Sequence, residues 1–220
     1  RLSMEYQPAF ILAFVLVPLF LILERRDDKW LTILSVVSGT AVAFFDFLTT
    51  ETVTILLPLA LVVAVRAKEN RLGSLKENLL LLLKCGICWG FAYGGAFIVK
   101  WLIASIVTGE NSFSLALNSA EMHTLGATTV NFDPKGLPNS WIDGLLSSLS
   151  AMLGSELRVD YTRIAAVLFA GFLIIFSVWY LLRRKKSNSV ALLLLILGGL
   201  VLARFILLNN HTYMHCFFTY

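Results

Sequence analysis

Long apolar runs separated by short polar connections dominate the chain, and their lengths predict helices rather than strands. The runs extend from about Pro8 to Leu23, Leu31 to Phe47, Val53 to Val65, Leu79 to Val107, Ile164 to Leu182 and Val190 to Leu208. Several approach the roughly 20 residues that cross a bilayer as an α-helix. The expected fold is therefore all-α, a polytopic transmembrane helix bundle of about six spans. Pro18 is placed to kink the first run, and Pro58 to bend the third and shortest. The fourth, about 43 Å long at roughly 1.5 Å per residue, must tilt or protrude. Gly86, Gly90 and Gly94 repeat every fourth residue along it, the spacing of a small-residue face for close helix packing.

The 108–161 segment is the one sizeable piece expected outside the membrane, an extracytoplasmic loop within a single transmembrane domain covering residues 1–220. Trp141, Ile142, Leu145, Leu146, Leu149, Met152 and Leu153 recur at the spacing of an amphipathic helix. Phe113, Ala116, Leu117 and Ala120 begin a weaker stripe, and the turn-rich string NFDPKGLPNS lies between the two. Two short amphipathic helices along the outer membrane surface are expected.

Polar residues sort by connection. Every second connection is basic: Arg25, Arg26 and Lys29; then Arg66, Lys68, Arg71 and Lys76, with Lys84 just beyond; then Arg183, Arg184, Lys185 and Lys186. The positive-inside rule assigns these twelve of the eighteen Lys and Arg residues to the cytoplasm. Both ends of a six-span fragment then lie outside. Trp30, Trp101 and Trp179 fall near span ends, where aromatic belts form.

Composition agrees. Hydrophobic residues make up 58% and charged residues 15%, against about half and a quarter in soluble domains. The net charge of +4 sits in short loops beside apolar runs, so it does not point to nucleic acid. Cys85, Cys88 and Cys216 are too few for a disulfide framework, and Cys85-Gly-Ile-Cys88 on an apolar helix is expected to pack rather than to do redox chemistry. With Arg1 at one end and HCFFTY at the other, the chain is expected to be an internal piece of a longer protein.

Candidate chemistry gathers at the other ends of the spans. Asp46 and Glu51 share a tight turn rich in threonine, placed for a general base, a metal-ligand pair or a polar headgroup site. The plain alternative is two acids capping helices at the water interface. Lys100 lies within the fourth span, and either snorkels to the interface or faces a polar cavity. Arg163 opens the fifth span and Arg204 sits about one turn below the end of the sixth. Cations at that depth suit the phosphate of a lipid carrier. The alternative is interfacial anchoring, with Asp46–Lys100 or Glu51–Arg204 ion pairs. Asn210, His211 and His215 form a polar cluster after the last span; two histidines four apart share a helix face but lack further ligands for a metal.

The strings SMEYQPAFI, FFDFLTTETVTILLPL, WGFAYGGAFIVKWLIASIVTGEN and NNHTYMHCFFTY resemble uncharacterised polytopic bacterial membrane proteins, themselves similar to the GT-C class of lipid-linked-sugar glycosyltransferases. The resemblance covers most of the chain and falls on Asp46, Lys100, Arg204, His211 and His215. It implies sugar transfer from a polyprenyl-phosphate donor to a cell-envelope acceptor on the outer face, with polyprenyl-linked sugar and membrane lipid as partners. It implies no cofactor, a divalent metal being left open. In that class the best-known catalytic acid lies in the first outer loop, which would precede Arg1, leaving Asp46 a supporting role. The competing classes are an O-antigen-type polymerase or flippase and a solute transporter; the last calls for broken helices and charges near the midplane.

Overall fold

A computed structural model describes residues 7–45, 51–125 and 188–207, with isolated helical positions between 168 and 179. All regular structure among the described residues is helical. The helices are α1 (Gln7–Leu23), α2 (Asp28–Phe45), α3 (Val53–Lys68), α4 (Leu75–Thr108), α5 (Ser112–Leu125) and α6 (Asn188–Leu207). Of these, α2 and α4 are long and apolar enough to cross a membrane, while α1 and α6 carry the shorter apolar stretches Phe10–Leu23 and Ser189–Leu200. The chain divides into two compact units: 1–110 with 189–198, and 111–188 with 199–220.

In the first unit the helices alternate in direction. The ends of α1 and α3 lie beside the start of α2, because Glu24 and Asp28 both bind Arg66. The starts of α2 and α4 therefore share an end with the two basic connections, as their cations predict. Leu16 and Phe20 of α1, Leu31 and Leu34 of α2, Ile55, Leu59, Val62 and Val63 of α3, Cys85 of α4, and Leu193 and Leu197 of α6 form one buried cluster. Each buried large side chain contributes about 1.5–3 kcal/mol relative to water. Cys85 is thus a packing residue, as expected from its apolar surroundings. Pro18 and Pro58 lie inside continuous helices.

Close helix packing resides on α2, not on the glycine stripe of α4. Leu31, Leu34, Ser35, Ser38, Gly39, Val42 and Ala43 are the buried face of α2, at spacings of three and four. A Cβ added at Gly39 would fall on the Trp89 carbonyl oxygen and crowd the Tyr93 amide nitrogen, so glycine lets the two backbones touch. Ser35 Oγ donates to the Leu31 carbonyl at 2.7 Å. Gly86, Gly90, Gly94 and Gly95 of α4, by contrast, have nothing within 4 Å of an added Cβ among the described residues. The stripe expected to pack the fourth span makes no close approach there.

Helix ends explain the difference between the predicted and observed lengths of α4. Ser74 and Glu77 form a reciprocal capping box: Ser74 N donates to Glu77 Oε2 at 2.8 Å and Glu77 N donates to Ser74 Oγ at 3.3 Å. This starts α4 at Leu75, four residues before the apolar run, and gives it 34 residues or about 51 Å. Gly109, at φ 72, closes it in the left-handed conformation that glycine adopts without strain. One face of this helix leaves its apolar side chains uncovered along its length, including Leu83, Ile87, Phe91, Ile98, Leu102 and Ile106.

In the second unit, α5 falls on the weaker of the two predicted stripes. Asn111 Oδ1 accepts from Ser114 N at 3.3 Å and caps its start. The second predicted amphipathic helix, at 141–153, lies outside the described residues. Within the predicted fifth span, Leu168, Phe172, Ile175, Phe176 and Trp179 are helical and exposed, with Phe172, Phe176 and Trp179 in ring contact.

Gly39→Ala should lower the unfolding stability of the detergent-solubilised protein by about 1–3 kcal/mol, through the backbone shift it forces. Gly90→Ala should change it little. Equal loss in the two variants would show that the α2–α4 seam is misassigned.

Candidate functional site

Two polar clusters occupy opposite ends of the first unit. One was anticipated from sequence in part; the other was not.

The anticipated one surrounds the α2–α3 turn. Glu51 is 5% exposed and precedes α3 by two residues, where a carboxylate meets the positive end of the helix dipole. Its backbone carbonyl accepts from Thr54 Oγ1 at 2.6 Å, and the Thr54 carbonyl accepts from Ser38 Oγ of α2 at 3.3 Å. This short chain of bonds ties the turn to both helices. Thr52, the N-cap of α3, makes no side-chain capping bond.

Lys100 joins the same end from α4. Its Nζ donates to the Ala43 carbonyl at 2.7 Å and stands over the rings of Phe97, at 5.0 Å, and Phe44, at 5.5 Å. Ala43 lies in the last turn of α2, whose carbonyls lack helical partners and carry the negative end of the dipole. The lysine thus serves as a cross-helix cap in an aromatic surround. An ammonium has three donors, and Ala43 uses one. Phe97 is itself part of a ladder along α4. Trp89 and Tyr93 are stacked at 5.0 Å, Tyr93 and Phe97 meet edge-on at 5.0 Å, and Phe97 and Trp101 are tilted at 5.9 Å. The every-fourth aromatic spacing was visible in the sequence; its convergence on Lys100 was not.

Arg204 belongs to α6. Asp46, Arg163, Asn210, His211 and His215 lie outside the described residues. No group of three or more His, Cys, Asp or Glu side chains poised for a metal occurs among the described residues.

The unanticipated cluster closes the opposite end. α3 terminates in a two-bond hook: Asn70 N donates to the Ala67 carbonyl at 3.3 Å and Arg71 N to the Arg66 carbonyl at 2.8 Å. Asn70 takes the left-handed conformation, φ 55, that this hook requires. The reversal folds Arg71 back beside Arg66, and both guanidinium groups meet on Glu24. Arg71 grips that carboxylate as a fork, Nη2 to Oε1 at 2.7 Å and Nη1 to Oε2 at 3.2 Å. Arg66 adds Nε to Oε2 at 3.2 Å and Nη2 to the Glu24 carbonyl at 3.3 Å.

The Glu24 side chain is fully buried. Arg66 continues to Asp28 at 2.6 Å, Arg71 to Glu69 at 2.5 Å, and Arg25 to Glu69 at 2.9 Å. Three arginines thus meet three carboxylates and tie α1, α2 and α3 to the connection that leads into α4. Burial pushes the Glu24 carboxyl up, but the Arg71 and Arg66 hydrogen bonds and charges together hold it below the ordinary carboxylate range. Hydrogen bonding to Arg71 likewise lowers Glu69, and those two acids raise Arg71. The sequence signal was present in acids set inside basic connections, but pairing across 42 and 47 residues needs the fold.

No protein-family model, curated protein or solved structure matches the chain.

Glu24→Gln should destabilise the protein by about 1–3 kcal/mol: it removes the buried carboxylate that Arg66 and Arg71 share, while Arg66 keeps Asp28 and Arg71 keeps Glu69. A folded-state carboxyl held below its unfolded value of about 4.3 adds stability above that pH and loses it as pH falls through the folded value. Thermal unfolding between pH 7 and pH 3 should therefore show an acid-side loss in wild type that is shallower in Glu24→Gln. Parallel profiles would remove Glu24 as the titrating group.

Proposed function

We propose that the chain is part of a multi-span bacterial membrane enzyme, a polyprenyl-phosphate-dependent glycosyltransferase whose chemistry sits at the Glu51–Lys100 end. The membrane part of this reading is supported by α2 and α4, which run side by side with charged levels at both ends. Lys84 acts on the charge of Asp27 at one end, and Lys100 binds Ala43 at the other. Each helix covers sixteen residues between those levels, about 24 Å at roughly 1.5 Å per residue. Lysine stems reaching outward extend that to the hydrocarbon thickness of about 30 Å. The uncovered apolar side chains of α4 between the two lysines are chemistry for lipid tails, not for water.

The observation that carries the functional part is a half-buried lysine and a buried glutamate at one end of an apolar bundle. Charges at such a depth mark substrate sites. In the proposed reaction an acceptor hydroxyl loses its proton to a carboxylate, Glu51 or Asp46. Its oxygen forms a bond to the anomeric carbon, and the bond from that carbon to the donor phosphate oxygen breaks. The departing phosphate takes the electron pair and is stabilised by the donors of Lys100 that Ala43 does not use.

Full-length protein in detergent, given radiolabelled polyprenyl-phosphate sugars and envelope acceptors, should transfer label. Glu51→Gln and Asp46→Asn should each be compared with wild type, and loss of a general base should cut the rate about 10²–10⁴-fold in at least one of them. Undiminished transfer in both variants would discard the carboxylate assignment. Absence of transfer with every donor, alongside solute uptake in liposomes, would favour a transporter.

A further inference from the structure

The ionic clasp divides the cations of the basic end into two kinds. Arg25, Arg66 and Arg71 are consumed by Glu24, Asp28 and Glu69, and Lys29 pairs with Asp27 at 3.3 Å. Arg26, Lys68, Lys76 and Lys84 are exposed, with no carboxylate within 4.0 Å among the described residues. They come from three different places: the α1–α2 turn, the end of α3, and the first turns of α4. Exposed apolar side chains flank them, including Trp30 on α2 and Leu80, Leu83 and Ile87 on α4.

We infer that this end is a collar for anionic phospholipid headgroups, bound by Arg26, Lys68, Lys76 and Lys84 and not by the clasped arginines. The inference rests on the membrane reading above but is independent of the sugar-transfer reading. A lipid satisfies both halves of the surface. Its phosphate meets the four unpaired cations, and its acyl chains cover the apolar side chains beside them. Free phosphate would satisfy only the first half. Clasped guanidinium groups are poor headgroup ligands, because a phosphate would have to displace carboxylates already held at 2.5–3.2 Å. Arg26, Lys68 and Lys76 carry no such competition, and Lys84 feels Asp27 only from beyond ion-pair distance; a cation near an anionic leaflet binds it with a useful share of its charge.

The test is native mass spectrometry of the full-length protein from mixed micelles holding equal phosphatidylglycerol and phosphatidylcholine. Resistance of the protein to carbonate extraction from membranes is measured alongside. Wild type should retain phosphatidylglycerol preferentially. Glutamine at each of the four cations in turn should weaken that retention about fivefold per site. Arg25→Gln, which removes a clasped cation, should leave the preference unchanged.

Equal retention of the two lipids by wild type overturns the inference, as does loss of preference in Arg25→Gln equal to that in the collar variants. Displacement of the lipid by excess inorganic phosphate overturns it too, in favour of a free-anion site. Carbonate-resistant protein with no lipid preference refutes the collar and leaves the membrane reading standing; carbonate-soluble protein refutes both. Should one single variant fail to fold, the other three and the wild-type ratio decide the outcome.

Discussion

A carboxylate buried without solvent exposure is unfavourable unless other charges complete its hydrogen bonding, and Glu24 is such a group. Everything at the basic end follows from meeting that demand. α3 must end in a left-handed hook so that Arg66 and Arg71 converge on one carboxylate. The α1–α2 turn must place Asp28 within reach of Arg66. The α3–α4 connection must stay short enough to hold Glu69 against Arg25 and Arg71. The apolar cluster supplies attraction between helices, but attraction of that kind is non-directional. The clasp supplies direction: it fixes which helix ends meet.

At the opposite end the described bonds run from side chains to backbone carbonyls. Ser38, Thr54 and the Glu51 carbonyl form a single chain, and Lys100 supplies one charge-assisted bond to the last turn of α2. The Lys100 ammonium is the meeting point of both readings. As a cap it is structural, and under the proposed function its remaining donors would bind the departing phosphate.

Much of the fold was legible before any coordinates. Helix α1 falls within one residue of its apolar run, and α2 and α6 within three residues of theirs, because in those stretches the apolar pattern itself defines the helix. The start of α4 was misplaced because a capping box, Ser74 with Glu77, begins a helix in polar sequence that hydropathy does not register. The glycine stripe misled for a related reason. Small residues every fourth position permit close packing, but only a partner backbone makes it happen, and the partner found Gly39. The clasp is not visible in the connections taken one by one: Arg66 and Arg71 meet Glu24 across 42 and 47 residues, and only once α1 and α3 are packed. For the site, the sequence pointed to Lys100 and Glu51 separately, and both lie at the end of the first unit opposite the clasp. It could not show that the Lys100 amine bonds to a backbone carbonyl, which no side-chain pattern encodes.

The central claim is that the two polar ends of the first unit face opposite sides of a membrane. Single cysteines at Arg26 and Glu110, in a background lacking Cys85, Cys88 and Cys216, test it directly with a membrane-impermeant thiol reagent. In intact cells Glu110→Cys should be labelled and Arg26→Cys should not, and permeabilisation should expose the latter. Labelling of both positions from the same side in intact cells would contradict the claim.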